Sequence, residues 1–172
     1  MTDAGNANPR ESHFAAAQPN QMNWLGRWWP VLAWAALISL FSTGVFTSEN
    51  TGRFIIPILH WLLPHAPLDR LLRIHYYLRK CGHFTEYFIL SWLLLRGIRA
   101  GRPETHLKWA LLVIILAAGY ASLDEFHQSF VPGRTAAVSD VFLDTTGGAT
   151  AQVIAALVLL RSRKREERKN NA

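Results

Sequence analysis

Three short strings hold most of the residues able to do chemistry. RKCGHFTEY supplies Lys80, His83, Glu86 and Tyr87; DEFHQSFVPGR supplies Asp124, Glu125, His127, Gln128 and Arg134; SDVFLDTTGG supplies Asp140 and Asp144. An imidazole exchanges protons near neutral pH. A carboxyl group whose pKa is raised by burial serves as an acid or a base, and Arg134 and Lys80 are suited to hold a phosphate or a carboxylate. His83, Glu86, Asp124, Glu125, His127, Asp140 and Asp144 are therefore the candidate catalytic groups. Lys80, His83, Glu86, Tyr87, Asp124, Gln128, Arg134 and Asp140 are the candidate ligand-binding groups.

Other chemistries lack their signatures. Ser122 and Ser129 have no GxSxG setting, and no Gly-rich phosphate loop precedes a helix. There is no HExxH, and in DEFHQ the Glu125 and His127 side chains diverge on a helix, so no metal is expected. No cofactor is identifiable. His60, His65 and His75 do not have a metal-ligand spacing and read as interfacial polar residues. The single cysteine, Cys81, excludes an internal disulfide.

The elements that must position these groups are apolar. Of 172 residues, half are hydrophobic and only 17% are charged, and the apolar residues are bunched in long runs, which points to a membrane before a soluble core. Trp28–Phe46 is uncharged and long enough for a bilayer core, with Pro30 in its first turn and Trp24, Trp28 and Trp29 placed for an interfacial belt. Leu107–Leu123 and Val138–Leu160 are further spans, and Arg79–Ile98 is a fourth through its apolar second half, YFILSWLLL. The expected fold is all-α, a membrane bundle of four helices. Between the first two spans, Pro57, Pro64 and Pro67 break the chain into one or two amphipathic helices lying on the membrane surface. Residues 1–27 read as a flexible cytoplasmic tail without a cleavable signal, 28–160 as the membrane domain and 161–172 as a basic cytoplasmic tail. With both termini in the cytoplasm, twelve of the eighteen Lys and Arg lie inside and six outside, as the positive-inside rule prefers. The basic tail is a topology anchor beside anionic lipid rather than a nucleic-acid patch.

This topology delivers the polar strings to one membrane face. Lys80, His83 and Tyr87 share a helix face with Glu86 on its flank, and Asp124, His127 and Gln128 share another, with Glu125 pointing elsewhere. Asp140 and Asp144 are one turn apart, and Gly147 and Ala151 continue their side with small residues that let a neighbouring helix approach. Pro132-Gly133 forms a turn that returns Arg134 over the site. Snorkelling or pairing explains any one of these charges; four stretches converging on one layer favour a bound ligand or chemistry.

The three strings resemble the VanZ-like family of small bacterial membrane proteins, named for a teicoplanin-resistance protein. The resemblance covers Trp28 to Leu160, and its polar signature falls on Lys80, His83, Glu86, Tyr87, Asp124, Glu125, His127, Gln128, Arg134 and Asp140. Asp144 stands where the family often has Asn, and Ala151 where a second Gly is common. The resemblance implies an inner-membrane, envelope-associated protein linked to glycopeptide tolerance. The expected partners are membrane lipids, a lipid-linked envelope precursor or a glycopeptide antibiotic, with no nucleic acid and with a homo-oligomer allowed. Three functions stay open: a binding protein, a membrane hydrolase or transferase acting on a lipid-linked substrate, and a small oligomeric transporter.

Overall fold

The computed structural model describes residues 24–99 and 107–171. Residues 1–23 of the expected 1–27 tail, and Arg102, lie outside the described residues. Five helices follow one another: α1 (Trp24–Phe41), α2 (Ser48–Leu62), α3 (Leu68–Arg99), α4 (Leu107–Gln128) and α5 (Val138–Asn170), with a 3-10 turn (Gly44–Phe46) between α1 and α2. No strand occurs among the described residues.

Two of the expected spans, α4 and α5, are long and apolar enough to cross a membrane, and α1 qualifies only together with the turn and α2, as a pair bent by 60°. α3 is not among them, because Asp69, Arg70, Arg73, Arg79, Lys80 and Glu86 occupy its first two thirds. Its unbroken length also removes an expected boundary. The second amphipathic segment is not a separate helix; it is the beginning of α3.

The first span differs from its expected bounds at both ends. α1 begins four residues early, so Pro30 lies inside the helix, and it stops at Phe41 rather than Phe46. Ser42-Thr43-Gly44 supplies the break: the Thr43 hydroxyl donates to Leu40 O at 2.7 Å, competing with the helical ladder. α2 then starts on a Thr47 cap, whose Oγ1 accepts from Asn50 N at 3.2 Å. Pro64 and Pro67 separate α2 from α3.

α5 packs along α3 and α4 through small residues. A side chain on Gly147 would collide with the Phe84 carbonyl, and on Gly148 it would lie 2.6 Å from Ser91 Oγ. Ala117 and Ala121 of α4 and Ala151 and Ala155 of α5 are buried in the same core. α1 is tied to its neighbours by polar bonds: Trp34 Nε1 donates to Glu86 O (2.9 Å), the Tyr120 hydroxyl to Ala35 O (2.7 Å) and Arg27 to Gly97 O. Leu111, Ile115, Leu123, Phe142 and Leu160 point outward. An apolar exterior over a core this small suits hydrocarbon, where every helical backbone group is already satisfied.

Candidate functional site

The C-terminal ends of α1 and α4, the middle of α3 and the beginning of α5 meet in one layer. Five carboxyl groups and three cationic side chains of the three polar strings lie there, all but Glu86 held in three sub-clusters.

At the first, two arginines from different elements converge on the end of α1. Arg134 donates to the carbonyls of Phe41, Thr43 (3.4 Å) and Phe46 (2.9 Å), and Arg79 donates to the same Phe46 carbonyl (3.0 Å) and to Thr51 Oγ1 (3.2 Å). The break after Phe41 takes these carbonyls out of the helix ladder; Thr43 O still accepts from Phe46 N–H (3.2 Å), and the guanidiniums supply donors to Phe41 and Phe46. Gly133, at φ 79°, turns the chain so that Arg134 reaches back. Burial first, and the Arg79 charge second, push Arg134 below its ordinary pKa. One nitrogen, Arg134 Nε, is buried without a partner. Arg79 is joined through Thr51 to His75, whose Nε2 lies 3.2 Å from the hydroxyl. His75 is thus a buried residue and not the interfacial one expected. Burial, and then Arg79, lower its pKa, which keeps the imidazole neutral.

The second sub-cluster surrounds α4. Asp124 Oδ2 accepts from Ser42 Oγ (2.8 Å) and Gln128 Nε2 (2.9 Å), and Glu125 Oε2 accepts from the Ala137 N–H (2.8 Å) immediately before α5. Asp124, Glu125 and Gln128 are buried, and His127 is exposed on the other side. The expected face is therefore corrected: Glu125 points inward and His127 outward. The signal was present in Ala117 and Ala121, since the stripe through 117, 121, 124, 125 and 128 has helical spacing and continues the small-residue face.

The third joins α3 to α5. Lys80 pairs with Asp140, and one turn deeper His83 Nδ1 lies 3.7 Å from Asp144 Oδ1, beyond hydrogen-bond range. Asp144 is fully buried, and neither of its oxygens has a hydrogen-bond partner. Tyr87 is also fully buried with an unpartnered hydroxyl, so it lies behind the site. Among the described residues no three of His, Cys, Asp and Glu group as a metal-binding set.

Two cavities share Arg79, His83 and Arg134 as a wall. One, of about 240 Å³, has Phe41, Phe46 and Glu86 around it. The other, of about 270 Å³, reaches Lys80, Asp140 and the Gly133 loop. Glu86 lines the first without accepting a side-chain hydrogen bond from any described residue, although its neighbours are charged. Arg79 was absent from the candidates. Its spacing to His83 and Glu86, four and then three residues, marks the helix stripe that faces this cavity.

A family model described as VanZ/LLP1 matches residues 27–160. Comparison with curated proteins returns no match, and neither does comparison with solved structures.

Proposed function

The chain belongs to the VanZ/LLP1 family, and from that premise we propose that it is a bacterial inner-membrane protein whose polar cluster binds the anionic group of an envelope lipid or lipid-linked precursor. The observation that carries this reading is the pair of guanidiniums, Arg79 and Arg134, lining both cavities. Guanidinium forks are the side chains best matched to phosphate and carboxylate oxygens. The phenylalanine-lined cavity and the polar one lie on either side of them, which fits an amphiphile with its charge at the boundary. Each cavity is smaller than the roughly 300 Å³ at which sites for drug-sized ligands begin. A headgroup fits that space better than a whole glycopeptide antibiotic, so a role in glycopeptide tolerance would run through the envelope lipid.

In this reading α3 inserts through Arg79–Ile98 and completes four spans, α2 rests on the outer surface, and both termini are cytoplasmic. The twelve-to-six distribution of Lys and Arg supports that orientation. The test is lipid analysis of the purified protein, wild type against Arg79→Gln. The variant should lose co-purified phospholipid about tenfold, a 1.4 kcal/mol effect, while remaining folded. Undiminished lipid in a folded variant would remove the premise of an arginine-held headgroup.

A hydrolase or transferase is the second reading, favoured by the His83–Asp144 approach beside both cavities. His83 would then move a proton at the bound headgroup, and His83→Gln would abolish turnover of a lipid-linked substrate while leaving lipid bound.

A further inference from the structure

The arginine pair accounts for an anion, but not for Glu86. This carboxylate lines the same cavity as Arg79 and Arg134 and is only partly buried. It accepts no hydrogen bond from any side chain or backbone N–H among the described residues. The other carboxyl groups of the layer are engaged or enclosed: Asp124 by Ser42 and Gln128, Glu125 by Ala137, Asp140 by Lys80, and Asp144 within the α3–α5 packing. Beside Glu86 stand the rings of Phe41 and Phe46, edge to face with centroids 5.0 Å apart. A carboxyl group without a hydrogen-bond donor among the described residues, in a cavity with aromatic rings, is a setting in which proteins hold ammonium groups.

We infer that the ligand is a phosphate–ammonium zwitterion, its phosphodiester on the Arg79 and Arg134 guanidiniums and its ammonium on Glu86 in the cavity that Phe41 and Phe46 also line, as a phosphoethanolamine-type headgroup would lie. This rests on the headgroup-binding reading above and narrows it to one chemical class. Arg79 and Arg134 set affinity for any phospholipid; Glu86 sets the preference for the zwitterion. Glu86 is therefore a specificity residue.

The test is native mass spectrometry of the full chain in detergent, titrated with three lipids of identical acyl chains: phosphatidylethanolamine, phosphatidylglycerol and N-acetylated phosphatidylethanolamine. The wild type should bind phosphatidylethanolamine about tenfold more tightly than either of the others, the loss of one charge-assisted contact. The N-acetyl lipid removes the ammonium charge without any mutation, so this comparison holds even if variants fold poorly. Glu86→Gln should abolish the preference for phosphatidylethanolamine over phosphatidylglycerol, and Glu86→Asp should keep a preference. Displacement by soluble glycerophosphoethanolamine would show that the headgroup alone is recognised. A preserved lipid preference without such displacement would assign recognition to the membrane-held lipid. Equal binding of the three lipids by the wild type, or an undiminished preference in Glu86→Gln, overturns the zwitterion assignment and leaves headgroup binding standing. Retention of none of the three overturns both.

Discussion

Two regions of the molecule are rich in charge and differ in almost everything else. At one, Arg79, Lys80, Glu86, Asp124, Arg134, Asp140 and Asp144 come from separate stretches of chain and are buried or half-buried among each other and the end of α1. At the other, Arg161, Arg163, Lys164, Arg165, Glu166, Glu167, Arg168 and Lys169 follow one another along the last turns of α5 and are all exposed. The second region has the denser charge. Water screens each of its groups, so its charges act as a sum. In the first, each charge is held against a particular carbonyl, carboxylate or cavity, and removing one leaves its partners unsatisfied.

The sharpest way to break this contrast is to force apart the helices that build the enclosed region. Gly147→Leu places a side chain into the Phe84 carbonyl. Backbone cannot move aside as a side-chain tip can, so the expected loss is about 3 kcal/mol or more, enough to abolish folded protein. Yield and thermal unfolding in detergent measure it, and a wild-type melting curve would mean that α3 and α5 do not approach here.

A smaller effect is expected from Arg134→Gln. The glutamine cannot reach three carbonyls from one position, and freeing the Phe41 carbonyl, which has no second donor among the described residues as Thr43 and Phe46 do, should cost about 2 kcal/mol in thermal stability. Hydrogen exchange should rise through residues 42–47. Protection unchanged there would show that the elbow is held by something other than the arginines.

The smallest effect belongs to the exposed region. Lys164→Gln combined with Arg165→Gln should leave both the melting temperature and lipid retention at wild-type values, since both side chains are exposed and neither has a specific partner among the described residues. A drop in lipid retention as large as that of Arg79→Gln would erase the distinction between the two regions.

Much of the helical frame could be read from the sequence because α4 and α5 are long uninterrupted apolar runs, and α5 shows its packing face through Gly147 and Ala151. The end of α1 could not, since Phe41-Ser42-Thr43-Gly44 continues an apolar run and the break depends on a hydroxyl and on arginines far along the chain. The polar strings were visible as strings, whereas their facing was only partly so. Asp124 with His127 satisfies a helical spacing of three, and choosing Asp124 with Glu125 and Gln128 instead needed the alanine stripe one turn earlier. Arg79 stayed hidden for another reason. Its protein partners are the Phe46 carbonyl and the Thr51 hydroxyl, and a backbone acceptor leaves no mark in a sequence.

The length of α5 carries its own consequence. Thirty-three residues make a rod of about 50 Å, some 20 Å longer than the hydrocarbon of a bilayer. In the proposed topology, with the hydrocarbon ending near Leu160, Arg161 and Arg163 would lie at the headgroups, while the tip of an upright helix would stand about 15 Å further out. The electrostatic reach of a membrane surface at physiological salt is about 8 Å. Attraction to anionic lipid is then felt mainly by the first turn of the protruding segment, and the charges of Arg168 and Lys169 face the aqueous phase.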